Sequence, residues 1–294
     1  MTPAGEKLAA EIRANGPIRF SRFMEVALYD PEFGYYRRSR RDPFGKDGDF
    51  FTASQLQPVF GRLIAAAIGD LRQALGNPAD FKVVELGAGR GEMETHLAEF
   101  DYTGMDIDRG MYPENLTGVY FANEFFDALP VDVEGRRVGL SPDGFTWTGS
   151  GGWREDAVGM RAHLQKIGKS LARGYLLAID YGFTERERVR FPEGTLMSYR
   201  RHRAIDDVLR DPGEQDITAH VPFDELFRVG QECGLKLVRF ETLAQFLLRI
   251  GERDEFREAL AAGAGEDVQR LRMQLKTLLF GMGETFRCAL LERA

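Results

Sequence analysis

Glycines at 87, 89 and 91 follow the short run Lys82-Val83-Val84-Glu85-Leu86, and this spacing is the first feature of the chain with chemical content. Glycine lets a turn adopt left-handed dihedrals and lets a ligand approach the backbone closely. A dinucleotide fingerprint would require G-x-G-x-x-G, with its third glycine at 92. Glu92 stands there with Glu94 behind it, and two carboxylates oppose a pyrophosphate. The G-x-G-x-G spacing with Glu85 before it suits a cofactor that carries cationic groups and no phosphate. S-adenosylmethionine, with an ammonium and a sulfonium, has that chemistry. Glu85, Gly87, Ala88, Gly89 and Gly91 are therefore the first candidate cofactor contacts.

Asp106 lies 21 residues after Glu85, where a carboxylate at the end of a second strand can accept both ribose hydroxyls; Asp108 is the substitute. Ala122-Asn123-Glu124-Phe125-Phe126-Asp127-Ala128-Leu129-Pro130 follows the next strand, so Asn123 and Glu124 would face the reactive group and two phenylalanines would wall the pocket. A helix start capped by Asn123 is the competing reading. Asp180-Tyr181-Gly182 ends a fourth strand on the same edge.

The elements that must position these residues alternate in type. Helices are predicted over Ala4 to Ala14, Phe20 to Leu28 with Ser21 as cap, and Gln55 to Leu75. Lys82 to Leu86, Tyr102 to Ile107, Gly118 to Ala122 and Gly174 to Asp180 read as strands, and a short helix is expected from the glycine turn through Phe100. A hairpin over Val131 to Thr148 turns at Pro142-Asp143-Gly144, and a helix covers Val158 to Leu171. A helix (Phe223 to Cys233), a strand (Leu235 to Glu241), further helices and a strand (Thr285 to Leu291) close the chain. Strands alternating with helices predict an α/β fold with a mostly parallel twisted sheet and helices on both faces. Residues 1–78 would form an N-terminal helical and loop extension packed on a core over 79–294, which carries an insertion at 183–222. Tyr29 to Thr52 and that insertion are long and rich in aromatics and turn formers, as lids over the cofactor edge would be.

The chain has 294 residues and a formal net charge of −7, which gives no electrostatic footprint for nucleic acid. Its two cysteines, Cys233 and Cys288, form no C-x-x-C pair, so neither a zinc site nor a disulfide framework is expected. No apolar run approaches the roughly 18 residues of a membrane span, and the opening MTPAGEKLAAEIR has neither a signal-peptide core nor a transit composition, so a cytoplasmic protein without membrane insertion is expected.

Seven segments in order, FSRFMEVALYDPEFGYY (20–36), GDFFTA (48–53), VELGAGRG (84–91), ANEFFDALPV (122–131), DYG (180–182), GTLMSYRRH (194–202) and DPGEQDITAHVPF (211–223), resemble the MidA family of S-adenosylmethionine-dependent methyltransferases. The resemblance implies a Rossmann-like class I methyltransferase fold, with S-adenosylhomocysteine as product. The family includes a mitochondrial assembly factor for respiratory complex I that methylates an arginine on a complex I subunit, which makes a protein substrate the expected partner. On that reading Glu124 and Asp127, three apart on one face of a helical turn, would hold the planar guanidinium, with Asp180 as reserve acid and Tyr181 as an orienting hydroxyl. Glu124 could instead bind the methionine ammonium. Gly48, Asp49 and Phe50 would touch the cofactor side, and His202, Asp216 and His220 the acceptor side. Two departures from the family stand out: only 32 residues separate Gly91 from Asn123, where relatives hold a fuller helix and a third strand, and Ser54-Gln55-Leu56 replaces a proline and a Glu-Ile pair. Met111-Tyr112-Pro113 would then replace the missing adenine contacts. The alternative function is a cofactor-binding assembly factor or chaperone without turnover; a nucleotide-binding oxidoreductase is the third reading.

Overall fold

The computed structural model describes residues 1–37, 57–200, 203–263 and 267–294. In chain order these form α1 (Pro3–Asn15), α2 (Phe20–Tyr29), α3 (Val59–Ala74), β1 (Lys82–Leu86), β2 (Asp101–Met105), β3 (Leu116–Asn123), β4 (Asp132–Val133), β5 (Arg136–Ser141) and β6 (Gly144–Gly149). β7 (Glu155–Asp156), α4 (Val158–Ser170), β8 (Leu171–Phe183), β9 (Met197–Arg200), β10 (Arg203–Ile205), β11 (Asp216–Thr218) and β12 (Val221–Pro222) follow. The chain closes with α5 (Phe223–Glu232), β13 (Lys236–Thr242), α6 (Leu243–Gly251), α7 (Val268–Lys276) and β14 (Phe286–Arg293).

The described residues divide into two compact units, one drawn from Met1–Phe51, Phe126–Ala162 and Phe183–Phe223, the other from Thr52–Phe125, His163–Gly182 and Asp224–Ala294. The expected single boundary at 78 differs from this division. α3, placed in the extension by the sequence reading, belongs to the second unit, while α1 and α2 share the first with the hairpin and the 183–222 insertion.

The second unit is built on a sheet in the order β13-β14-β8-β3-β1-β2. β2, β1, β3 and β8 run parallel, and β14 and β13 are antiparallel at the far end. Such a sheet needs apolar cover on both faces. On one face Val83, Val119, Phe121, Leu177 and Ile179 join Phe60, Ile64 and Ile68 of α3 and Leu247 of α6 in one core. On α4 and α5, Leu164, Ile167 and Leu226 are buried, and the Tyr120 hydroxyl lies 2.5 Å from Ser170 Oγ at the end of α4.

The helix expected between β1 and β2 does not form. Residues 87–100 make a series of turns, tied by Gly91 N to Ala88 O at 2.7 Å and Leu97 N to Met93 O at 3.0 Å. The reason is length. Five residues of strand span about 17 Å, and nine residues of helix span only about 13 Å, too little to return the chain to the start of β2. Nor is there a strand between β2 and β3, so β2 ends the sheet.

In the first unit α1 and α2 pack Leu8, Phe20, Phe23, Met24 and Leu28 against Val131, Val133, Val138 and Ile217. Thr2 caps α1 by accepting from Gly5 N at 3.0 Å. Ser21, expected as the cap of α2, lies inside the helix, and its N–H donates to Asp132 Oδ1 at 3.1 Å, so an acid from the hairpin region takes that role. The insertion forms a three-stranded sheet, β10-β9-β11.

Candidate functional site

The glycine turn sits at the C-terminal end of β1, the edge where doubly wound sheets bind ligands. Gly87 and Gly89 have φ of 72° and 50°, left-handed values that side chains resist. At Gly87 a Cβ would also come within 2.9 Å of Phe125 Cδ2. Both glycines are exposed, so the turn is open.

Asp106 braces this turn from the end of β2. Its Oδ2 accepts from Gly89 N at 2.6 Å and its Oδ1 from Ile107 N at 2.7 Å. Each carboxylate oxygen has a second lone pair, so the group can still accept ribose hydroxyls. Arg109, unnoticed in the sequence, donates from Nη2 to Gly89 O at 3.0 Å. Glu85, only 5% exposed, accepts from the Tyr102 hydroxyl at 2.5 Å. Burial pushes its carboxyl up to about 7, opposed by that hydrogen bond. Tyr102 was also missed, because its partnership depends on β1 and β2 pairing in register.

The end of β3 carries the next group. Asn123 is buried at 8% exposure, its Nδ2 donates to Glu124 Oε1 at 3.1 Å, and its Oδ1 has no hydrogen-bond partner among the described residues. Glu124 turns the chain with φ 51° and donates its N–H to Ile179 O at 2.8 Å. The stretch after it forms turns rather than a helix, so Glu124 and Asp127 do not share a helical face, and they belong to different units. Asp180, 0% exposed, accepts from Phe125 N at 3.2 Å and Tyr181 N at 3.0 Å. Its carboxylate therefore ties the end of β8 to the corner after β3. Tyr181 is half-buried with its ring edge-on to Phe286 at 5.6 Å.

The loop between β2 and β3 does not present Met111-Tyr112-Pro113 as a unit. Met111 is 85% exposed, whereas the Tyr112 hydroxyl lies 2.6 Å from His163 Nδ1 and Pro113 O accepts from Ser170 Oγ. Burial lowers His163 to about 4, with Lys166 adding to the shift, so the ring is neutral at pH 7. His163 also meets Phe125 edge to face at 5.0 Å.

In the first unit, Asp216 is buried and accepts from the Tyr36 hydroxyl at 2.6 Å, opposite Tyr199 in the β9–β11 pairing. Burial, with Asp216 next, raises the Tyr36 hydroxyl well above its ordinary value. Asp127 is buried, and its carbonyl accepts from Ala219 N at 2.9 Å. His220 donates its N–H to Thr195 Oγ1 at 3.0 Å, its ring lies edge-on to Phe191 at 5.0 Å, and burial lowers it to about 4. Gly48, Asp49, Phe50 and His202 lie outside the described residues. Among the described residues no group of three or more His, Cys, Asp or Glu could hold a metal, and no helix is long and apolar enough to cross a membrane.

Whether these residues fit S-adenosylmethionine can be judged from the edge itself. The turn has room where a Cβ would clash, Asp106 has spare acceptor capacity, and Asn123 holds a buried orphan oxygen toward which an N–H can come; the set fits. Residues 154–241 match a family model described as "Putative S-adenosyl-L-methionine-dependent methyltransferase". The Drosophila melanogaster protein arginine methyltransferase NDUFAF7 homolog, mitochondrial, is 38% identical over 88 residues, 30% of this chain and 20% of that protein. Its Xenopus tropicalis counterpart is 24% identical with 95% of this chain and 83% of that protein covered. A COG1565 superfamily member from Burkholderia thailandensis, bound to S-adenosyl-homocysteine, superposes with a TM-score of 0.83 at 28% identity, covering 99% of this chain and 92% of its own. The arginine methyltransferase relatives are named mitochondrial, which overturns the expectation of a cytoplasmic protein. With a glycine turn, strand-end acid and sheet order of this kind beneath those likenesses, the chain has the fold of the S-adenosylmethionine-dependent methyltransferases and is similar to the COG1565 and arginine methyltransferase proteins among them.

Proposed function

We propose that the protein transfers a methyl group from S-adenosylmethionine to an arginine of a partner protein. The observation that carries this reading is that the C-terminal ends of β1, β2, β3 and β8 bring the open glycine turn, Asp106, the Asn123–Glu124 corner and Asp180 to one edge of one sheet. The arginine acceptor is supported by the names of the relatives, and the family resemblance suggests a respiratory complex I subunit.

S-adenosylmethionine supplies an electrophilic methyl on a sulfonium, which a nucleophilic nitrogen takes to leave S-adenosylhomocysteine. Exposed Gly87 and Gly89 leave the backbone approachable, with Ala88 and Gly91 proposed beside them, and Asp106 fixes the turn while offering acceptors to a diol. Glu124, and Glu85 in its ionised form above about pH 7, lend negative charge to an edge that must receive cations. Asp180, with both oxygens engaged by backbone N–H groups, serves as the brace of the corner rather than as an acid. Asp127, Asp216, His202 and His220 are proposed for the acceptor side, and Gly48, Asp49 and Phe50 for the cofactor side.

The test is transfer of isotope-labelled methyl from S-adenosylmethionine to arginine-bearing partner proteins, read as methylarginine by mass spectrometry. Transfer is expected from the native chain and lost in Asp106→Ala. Tight binding of the cofactor with no transfer to any arginine-bearing partner would favour an assembly factor without turnover.

A further inference from the structure

Several surface arginines of the second unit stand beside an acid: Arg249 meets Glu241 at 2.5 Å, and Arg253 meets Asp70 and Arg228 meets Glu232 at 2.6 Å. The run from Val268 to Gly283 differs. It holds Arg270, Arg272 and Lys276 and no acid, in a chain whose formal charge is −7. Asp267, whose carboxylate caps α7 by accepting from Gln269 N at 2.9 Å, and Glu284 bound it. All three cations are exposed, and none makes an ion pair with a described residue.

α7 passes directly into a π-helical turn over Thr277–Met282, and the two together have an inward and an outward side. Leu271, Gln274 and Leu278, three and four apart, are buried, and both leucines join the core beneath α3 and α6. Gln274 Nε2 donates to Gln57 O at 2.5 Å and ties this side down. Met273 and Phe280, seven apart, face the other way at 59% and 80% exposure, with Lys276 between them and Arg272 adjoining. Large apolar side chains standing this far out of a surface mark a contact with something else.

The chemistry of that partner follows from the mixture. Nucleic acid would answer the cations and leave Phe280 in water, and an acidic folded protein would need a pocket shaped to two protruding side chains. A bilayer with anionic headgroups needs no matching shape: apolar side chains enter at the boundary of headgroups and acyl chains while cations stay level with the phosphates. Among the described residues no helix is long and apolar enough to cross a membrane, so the contact lies along the surface.

We infer that the outward side of α7 and its π-helical turn is a docking surface for an anionic phospholipid bilayer, with Met273 and Phe280 entering the headgroup layer and Arg270, Arg272 and Lys276 on lipid phosphates. It goes beyond the proposed methyl transfer and uses none of the residues assigned to it.

The experiment sediments the full chain with vesicles of phosphatidylcholine alone and of equal parts phosphatidylcholine and phosphatidylglycerol. The native chain is expected to sediment with the mixed vesicles only, and to be released as salt rises. Arg270→Gln, Arg272→Gln and Lys276→Gln together should weaken binding about a hundredfold, at about fivefold for each cation near an anionic surface. Met273→Ser with Phe280→Ser should weaken it at least about tenfold. Arg186→Gln, Arg188→Gln and Arg190→Gln together, in a first-unit run where Glu185 and Glu187 interleave the cations, should leave it native. Emission from Phe280→Trp should be quenched by brominated lipid above the background of Trp147 and Trp153. The changed side chains of α7 and its turn are exposed, so an unaltered urea midpoint and S-adenosylhomocysteine affinity report an intact fold. Sedimentation with neither vesicle, binding unchanged by the α7 substitutions, equal losses in the first-unit variant, or no quenching of Phe280→Trp overturns the docking surface. Retention on poly-L-glutamate or duplex DNA without vesicle binding would assign the cations to an acidic polymer and overturn it as well. Failure of the native chain to bind S-adenosylhomocysteine would count against the methyltransferase reading and leave the vesicle result untouched.

Discussion

The glycine at 89 carries two constraints at once, a φ of 50° and an N–H held 2.6 Å from Asp106 Oδ2. Gly89→Val adds a β-branched side chain where left-handed backbone is strained, and binding of S-adenosylhomocysteine is expected to fall at least tenfold by calorimetry. Asp106→Ala removes the brace together with the acceptors proposed for the ribose diol. One charge-assisted hydrogen bond contributes about 1.5 to 3 kcal/mol, which also sets a loss of at least about tenfold; unchanged affinity would contradict the site. Glu85 adds a pH signature. Its carboxyl is raised to about 7 by burial, against 4.5 for the ordinary group, so its contribution to stability is fully present below 4.5 and is lost as pH rises through 7. Glu85→Gln should abolish that slope and stabilise the protein at pH 8 by roughly 2 to 3 kcal/mol, read from urea unfolding at several pH values. The placement of Gly87, Gly89 and Asp106 at the C-terminal ends of β1 and β2 was legible because residue type and spacing alone carry it. Tyr102 and Arg109 were not, because a hydroxyl from the next strand and a guanidinium from a loop reach their partners only once strand register is set.

At the scale of elements, β1 appears at the bounds its apolar run implies, Lys82–Leu86, and α1, α3 and β3 fall within a few residues of theirs. The missing helix after the glycine turn shows what local pattern cannot supply. Glu92 to Phe100 has helical composition, but the distance back to β2 decides against it. The loop between β2 and β3 is held by Tyr112 and His163 at 2.6 Å and by Ser170 on Pro113 O. Burial lowers His163 from 6.5 to about 4, so its stabilising effect is present above 6.5 and is lost as pH falls through 4. His163→Phe should flatten the acid limb of the stability curve between those values by about 1 to 2 kcal/mol, measured by thermal unfolding; an unchanged limb would mean that His163 does not carry it.

For the whole molecule, a sequence read as extension plus core folds as two units that exchange chain segments, the first from Met1–Phe51, Phe126–Ala162 and Phe183–Phe223. Contiguity misled because apolar positions far apart in sequence share one core: Leu8, 0% exposed, lies with Val138 and Ile217. Leu8→Ala should cost about 2 to 5 kcal/mol of stability as a cavity in that core, seen in urea unfolding. The fold class was legible from alternation and the likeness to S-adenosylmethionine-dependent methyltransferases from seven ordered segments, while the division of the chain needed the tertiary contacts. The most direct test of the methyltransferase account is a crystal structure of the chain with S-adenosylhomocysteine. The account predicts the ligand at the C-terminal edge of β1, β2 and β3, its ribose on Asp106 and its chain along Gly87 to Gly91. Ligand bound away from this edge, with the glycine turn and Asp106 untouched, would contradict it.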